Sequence, residues 1–209
     1  AKIIDGKIVL VEKPVAKIGE TEYATLAEAV AAVQEGQTIQ LLAGEISEGT
    51  IKLPATLKNV TFEGAANHAS VLKDMTIMAP DGNSFNYEGL TFDGIVFENS
   101  RISVTGWRNN GAVVKNFTVT NCRFFNLNDD TNLAPVHFNM AATEPVNGFT
   151  FTNNVIDGAT GGQKSGVYAQ TTGEVVFTGN IINNVSFRPY VIQLTTDDGI
   201  ADKFTVTGN

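Results

Sequence analysis

Two acidic pairs stand out among the residues able to do chemistry: Asp129-Asp130 in NLNDDTN and Asp197-Asp198 in TTDDGI, with Lys164 and Arg188 in loops between them. Two carboxylates and a basic group held about 5–9 Å apart in a groove would serve acid–base work on a glycan. A plainer reading competes, because paired Asp beside Asn, Thr and Gly is ordinary turn chemistry. An Asp-Asp loop also offers oxygens to Ca2+, although no carboxylate cluster here has calcium-loop spacing. The single cysteine, Cys122, has no histidine motif near it and reads as an inert buried hydrophobe. Two histidines leave little for a histidine-based metal site. The expectation is no cofactor, with Ca2+ the one ion considered, and no metal needed for folding.

These groups sit in a chain of 209 residues, 43% hydrophobic and 17% charged. Its mean hydropathy is +0.01. That excludes a disordered chain and gives enough length for one self-sufficient core. No apolar run approaches the ~18 residues of a membrane span. The opening AKIIDGKIVL carries no signal peptide, so the chain reads as mature or trimmed. Fourteen Lys and Arg against 22 Asp and Glu leave a net charge of −8. Such a surface argues against nucleic acid and against membrane insertion. Thiol poverty fits an oxidising, extracellular setting.

The elements that must position these groups change character along the chain. Residues 1–58 hold a hairpin signal at Asp5-Gly6, a helix over 26–35 and a strand in TIQLLAG. Thr25 and Glu28 have capping-box spacing, and Gly36 supplies the stop. Every asparagine lies at or after Asn59, and beyond it no helical pattern appears. Related segments begin instead at 60, 90, 117, 149, 175 and 204, a spacing of 30, 27, 32, 26 and 29 residues. They include LTFDGIVF, FTVTNCRFF, FTFTNNVID and VVFTGNII. A second series, RISVTG, VHFNM, GVYAQ and YVIQL, sits between them. Short strands, tight bends and a repeat of this length describe a coiled parallel sheet whose levels are stable only when stacked.

The FTxTNN and TGN turns resemble those of right-handed parallel β-helices of the pectin-lyase-like type. The segment IGETEYATLAEAVAAVQEGQTIQLLAGEI resembles the one that opens β-helix or repeat regions in cell-surface proteins of gut-type Firmicutes. The fold class expected is all-β: a right-handed parallel β-helix over 59–209, of about five coils, with a short N-terminal hairpin and a capping helix within 1–58. The resemblance implies two function classes. One is an extracellular cell-surface scaffold or adhesin of a bacterium, contacting a polysaccharide or a host glycan. The other is a polysaccharide lyase or glycoside hydrolase, in which Asp129, Asp130, Lys164, Arg188 and Asp197 are the catalytic candidates. Lyases of this type abstract a proton with Arg or Lys and bind Ca2+ through carboxylates, whereas its hydrolases use clustered Asp. No lyase or galacturonase motif is present to carry over by residue, so the scaffold reading leads.

Alignment of the repeats gives further expectations. Ile95, Cys122, Asn154, Asn180 and Asn209 share one inward bend position, where Asn154, Asn180 and Cys122 would form a structural ladder. They follow Gly94, Asn121, Asn153, Gly179 and Gly208, types that accept left-handed backbone. Phe62, Phe92, Phe117, Phe149, Val175 and Phe204, or their near neighbours, should stack in the core. In the second series, alternation buries Ile102, Val136, Phe138, Val167, Ala169, Ile192 and Leu194. It turns Ser103, Thr105, His137, Asn139, Tyr168, Gln170 and Gln193 to solvent. Of these, His137, Asn139, Tyr168, Gln170 and Gln193 are the candidate ligand-binding strip, although any solvated sheet face carries such residues. Trp107 is either a sugar platform or a loop anchor. Thr118/Thr120, Thr150/Thr152 and Thr205/Thr207 form an outward array, which ordinary strand propensity also explains. The closing FTVTGN reads as a rung cut in its middle, so truncation and self-association through that edge are expected.

Overall fold

The structure is a computed structural model describing residues 2–4, 7–9, 13–80, 84–105, 111–140, 145–186, 192–193 and 201–209; side chains are described for 13–80, 84–105, 111–140, 145–186 and 203–209. It is a parallel β-solenoid with three faces. The first face stacks Thr38–Leu41, Thr61–Glu63, Thr91–Asp93, Val113–Thr120, Val146–Thr152, Thr171–Thr178 and Ala201–Thr207. The second stacks Gly44–Ile46, Ser70–Lys73, Val96–Glu98, Arg123–Phe125, Val155–Asp157 and Ile181–Asn183. The third stacks Thr50–Lys52, Thr76–Met78, Arg101–Thr105, Val136–Asn139, Val167–Ala169 and Ile192–Gln193. Parallel pairing already begins at Thr38, which bonds in register to Thr61, so one level lies before Asn59.

The corners explain the asparagine distribution. Left-handed backbone recurs in three columns: Asn59, Gly89, Asn116, Gly148; then Gly94, Asn121, Asn153, Gly179; then Asp74, Asn99, Asn126, Gly158, Asn184. Asn tolerates this region better than other residues with a Cβ, so each level uses Asn or Gly to turn. At Gly179 the space is also closed, since a Cβ would come within 2.5 Å of Asn153 Oδ1.

Helix α1 spans Leu26–Ala32, three residues shorter than its sequence pattern, because Val33 has already turned to extended backbone. Its capping box is present: Glu28 N–H donates to Thr25 Oγ1 at 3.1 Å and Thr25 N–H to Glu28 Oε2 at 3.2 Å. Glu48 adds a second cap, accepting from Leu26 and Ala27 N–H at 2.6 and 3.0 Å. A carboxylate there also meets the positive end of the helix. Leu26, Ala29 and Val30 are buried, against strands that include Thr38–Leu41 and Thr50–Lys52. Ala16–Ile18 pairs antiparallel with Thr38–Leu41, and Thr21–Tyr23 pairs with Ala16–Ile18, so an antiparallel hairpin closes this edge. A separate antiparallel pair, Lys2–Ile4 with Lys7–Val9, brackets Asp5-Gly6.

The core is aromatic, and its stacking runs in two columns. Phe62 and Phe92 stack at 4.7 Å, yet their column continues through Val119, Phe151, Phe177 and Val206. Phe117, Phe149, Val175 and Phe204 instead continue from Leu90, two residues earlier. Both columns point inward, because a two-residue shift along a strand preserves the face. Phe204 is also not enclosed: it is 48% exposed, with Val206 at 52%.

Tyr87 is fully buried against Phe85, and its hydroxyl has no partner. Burial raises its pKa. Tyr87→Phe is expected to leave stability unchanged or to raise it by about 1 kcal/mol, since the orphaned hydroxyl has been desolvated without return. Urea unfolding checks this; a loss of that size would show that the hydroxyl does hold a bond.

Candidate functional site

The third face carries the candidate strip, and register fixes its columns. Lys52, Met78, Ser103, His137, Tyr168 and Gln193 align across successive levels. Thr105 aligns with Asn139, and Phe138 with Ala169, so Asn139 and Gln170 occupy neighbouring rungs. The inward partners Ile102, Val136, Phe138, Val167 and Ala169 are all buried. Ile192 and Leu194 fall outside the described side chains, as does Gln193.

The outward set is not uniformly solvated. Thr105 is exposed and Asn139, Tyr168 and Gln170 are half-buried, but Ser103 and His137 are only 6% and 5% exposed. Ala134 N–H donates to His137 Nδ1 at 3.2 Å, so the neutral ring carries its proton on Nε2. The imidazole stacks on Tyr168 with centroids 4.7 Å apart and planes 15° apart. One face of the phenol ring is therefore occupied. Gln170 Oε1 has no partner.

Beside the strip lie three of the catalytic candidates, Asp129, Asp130 and Lys164. Asp129 and Lys164 converge, joined by Arg101, which the sequence had not singled out. The Arg101 guanidinium pairs with Asp129 Oδ2 and donates to Thr131 Oγ1 at 2.8 Å. Lys164 Nζ lies 3.0 Å from Asp129 Oδ1. It also donates to the carbonyls of Thr131 and Gly161 at 2.8 Å each, and to that of Asp129. Lys164 is fully enclosed and Arg101 nearly so. Burial, reinforced by the Arg101 charge, lowers the Lys164 pKa, while Asp130 opposes the shift. Burial likewise lowers that of Arg101. Asp129 further accepts from Thr131 N–H at 2.9 Å in a local turn. Asn128 and Thr160 bridge, and Gln163 N–H donates to Asn132 Oδ1 at 2.9 Å, so two successive loops are stacked and riveted. Asp130 is exposed on this loop. Arg188, Asp197, Asp198 and Trp107 lie outside the described residues. Among the described residues, no group of three or more His, Cys, Asp or Glu is placed to hold a metal ion.

The ladder runs along a corner away from this face. Asn154 Oδ1 accepts from Cys122 N–H at 2.8 Å, and Asn180 Oδ1 accepts from Asn154 N–H at 2.9 Å. Asn209 Oδ1 accepts from Asn180 N–H at 3.0 Å. The amide groups donate to Val119, Phe151 and Phe177 carbonyls at 2.9, 2.9 and 3.0 Å. Cys122 takes the level below, its thiol 3.6 Å from the Phe92 carbonyl. Burial pushes that thiol up to about 12. A disulfide reagent near pH 8 is therefore expected to label Cys122 only on unfolding, because neither thiolate nor access is available. From its ordinary value of 9.0 up to about 12 the folded state keeps a proton that the unfolded chain releases. Stability should thus fall with rising pH in that window, by up to about 1.4 kcal/mol per unit. Rapid stoichiometric labelling of the folded protein would contradict both statements.

On the first face, Thr61, Thr91, Thr118, Thr150, Val176 and Thr205 form one outward column, and Glu63, Asp93, Thr120, Thr152, Thr178 and Thr207 the next. Thr120 and Thr152 hydroxyls bond at 2.9 Å. No helix among the described residues is long and apolar enough to cross a membrane. Compared with protein-family models, curated proteins and solved structures, the chain returns no match in any of the three.

Proposed function

We propose that this chain is an extracellular, bacterial cell-surface β-helix module of scaffold or adhesin type that contacts a polysaccharide or host glycan through its third face. The observation that carries the reading is the run of half-exposed amide, hydroxyl and phenol groups at Thr105, Asn139, Tyr168 and Gln170, set on consecutive levels of a rigid sheet. Sugars present hydroxyls in need of such partners, and levels repeat about every 4.8 Å. Stacked levels and a capped end supply the stiffness a display module needs. The turn pattern supports a pectin-lyase-like relationship, and the N-terminal segment supports a Firmicutes-type surface protein.

A polysaccharide lyase or glycoside hydrolase is the alternative, and it draws on the convergence of Asp129, Arg101 and Lys164. Its two cations are enclosed and engaged within the protein, which favours a loop strut over a proton-transfer site.

An immobilised glycan array tests the proposal. Specific signal is expected for the parent, and weaker signal for Asn139→Ala with Tyr168→Ala. Thr150→Ala on the first face should retain full signal. A parent protein that retains no glycan, or a third-face variant that binds as well as the parent, would sink it.

A further inference from the structure

We infer that the third face selects an uncharged, hydroxyl-rich saccharide and discriminates against uronic-acid or sulfated chains; this rests on the glycan-contact reading above. An anionic glycan needs free cations, and the described residues beside the strip offer none. Arg101 is committed to Asp129 and Thr131. Lys164 is surrounded by the Asp129 carboxylate and three carbonyl oxygens. Neither reaches solvent to any useful extent. Lys52 lies two levels below Thr105, the nearest member of the strip, roughly 10 Å away at sheet spacing and beyond the ~8 Å screening length.

The charge that does face outward is of the wrong sign for a polyanion. Asp130 is exposed on the adjoining loop, and the whole chain carries a net −8. The polar groups of the strip are neutral. Thr105 is exposed and Asn139 and Tyr168 are half-buried, and each offers a neutral donor to a sugar oxygen. Because His137 covers one face of Tyr168, recognition here runs through hydrogen bonds more than through ring stacking. Neutral hydrogen bonds also predict an affinity nearly independent of ionic strength.

The test is calorimetric titration with hexasaccharides of neutral β-glucan and galactan, set against oligogalacturonate of the same length, in about 50 and about 500 mM NaCl. At least one neutral ligand is expected to bind with a Kd that shifts less than about twofold between the two salts, and oligogalacturonate at least about tenfold more weakly. Asn139→Asp, with an unchanged melting temperature, should weaken the neutral ligand by about threefold or more, because the amide donors are lost. Tighter binding of oligogalacturonate, lost at high salt, would overturn the neutral preference while leaving glycan contact standing. Failure of both ligand classes, together with a blank array, would overturn the underlying reading itself.

Discussion

Asn154→Ala is expected to lower the free energy of unfolding by about 3 kcal/mol, a drop of roughly 6–12 °C in Tm for a chain of this size. The side chain is 1% exposed and works in both directions. Its oxygen accepts from Cys122 N–H, and its amide donates to Val119 O and toward Asn180 Oδ1. Truncation leaves a buried N–H and a buried C=O without partners, each costing about 1–3 kcal/mol. Asn154→Asp is the sharper control, since it keeps the acceptor, removes the donor and buries a charge beside the Val119 carbonyl. Urea denaturation at neutral pH reads both variants. An Asn154→Ala protein as stable as the parent would show that the ladder carries no net energy.

Asp129→Ala should cost a similar amount by a different route. Removing the carboxylate leaves Lys164 enclosed with only carbonyls around it and Arg101 with only Thr131. Breaking a buried ion pair on one side costs about 3–5 kcal/mol, and the lower end applies because a third of the Asp129 side chain is solvated. Lys164→Met in the Asp129→Ala background should recover part of the loss, since the stranded charge goes with it. Hydrogen exchange at Thr131 and Gly161 would locate the effect in the loops. If the double variant is less stable than Asp129→Ala by the full cost of Lys164→Met alone, the two groups are independent and the strut is wrongly drawn.

The solenoid was legible because its signals are short-range. Apolar-Thr-apolar units set strands, and Gly or Asn after them sets corners, so the period could be counted from the chain. The capping box was legible for the same reason, with Thr25 and Glu28 three residues apart. The second cap was not: Glu48 lies 22 residues from Leu26, and no local pattern relates them. Phenylalanine columns were mixed because alternation fixes which face a residue takes but not its place along that face. The strip was misjudged at His137 and Ser103 for a third reason. At His137 the burial accompanies a bond from Ala134 in the preceding loop, and a strand's own parity carries no information about such a contact. Arg101 was missed because an outward Arg reads as solvated until the loop supplying Asp129 is in place.

The level-to-level register bears on how the chain is made as well as on how it stands. Residues that become neighbours across the ladder are separated by 26 to 32 positions, as in Asn154–Asn180 and Cys122–Asn154. Closing a segment of that length costs little more entropy than closing one half as long. A chain emerging from a ribosome can therefore lay down one level for roughly every 30 residues made, each templated by the one already formed. The capped end, which emerges first, presents a finished edge to build on, so growth is directional. Synthesis and folding then advance together, each completed turn being the template for the next.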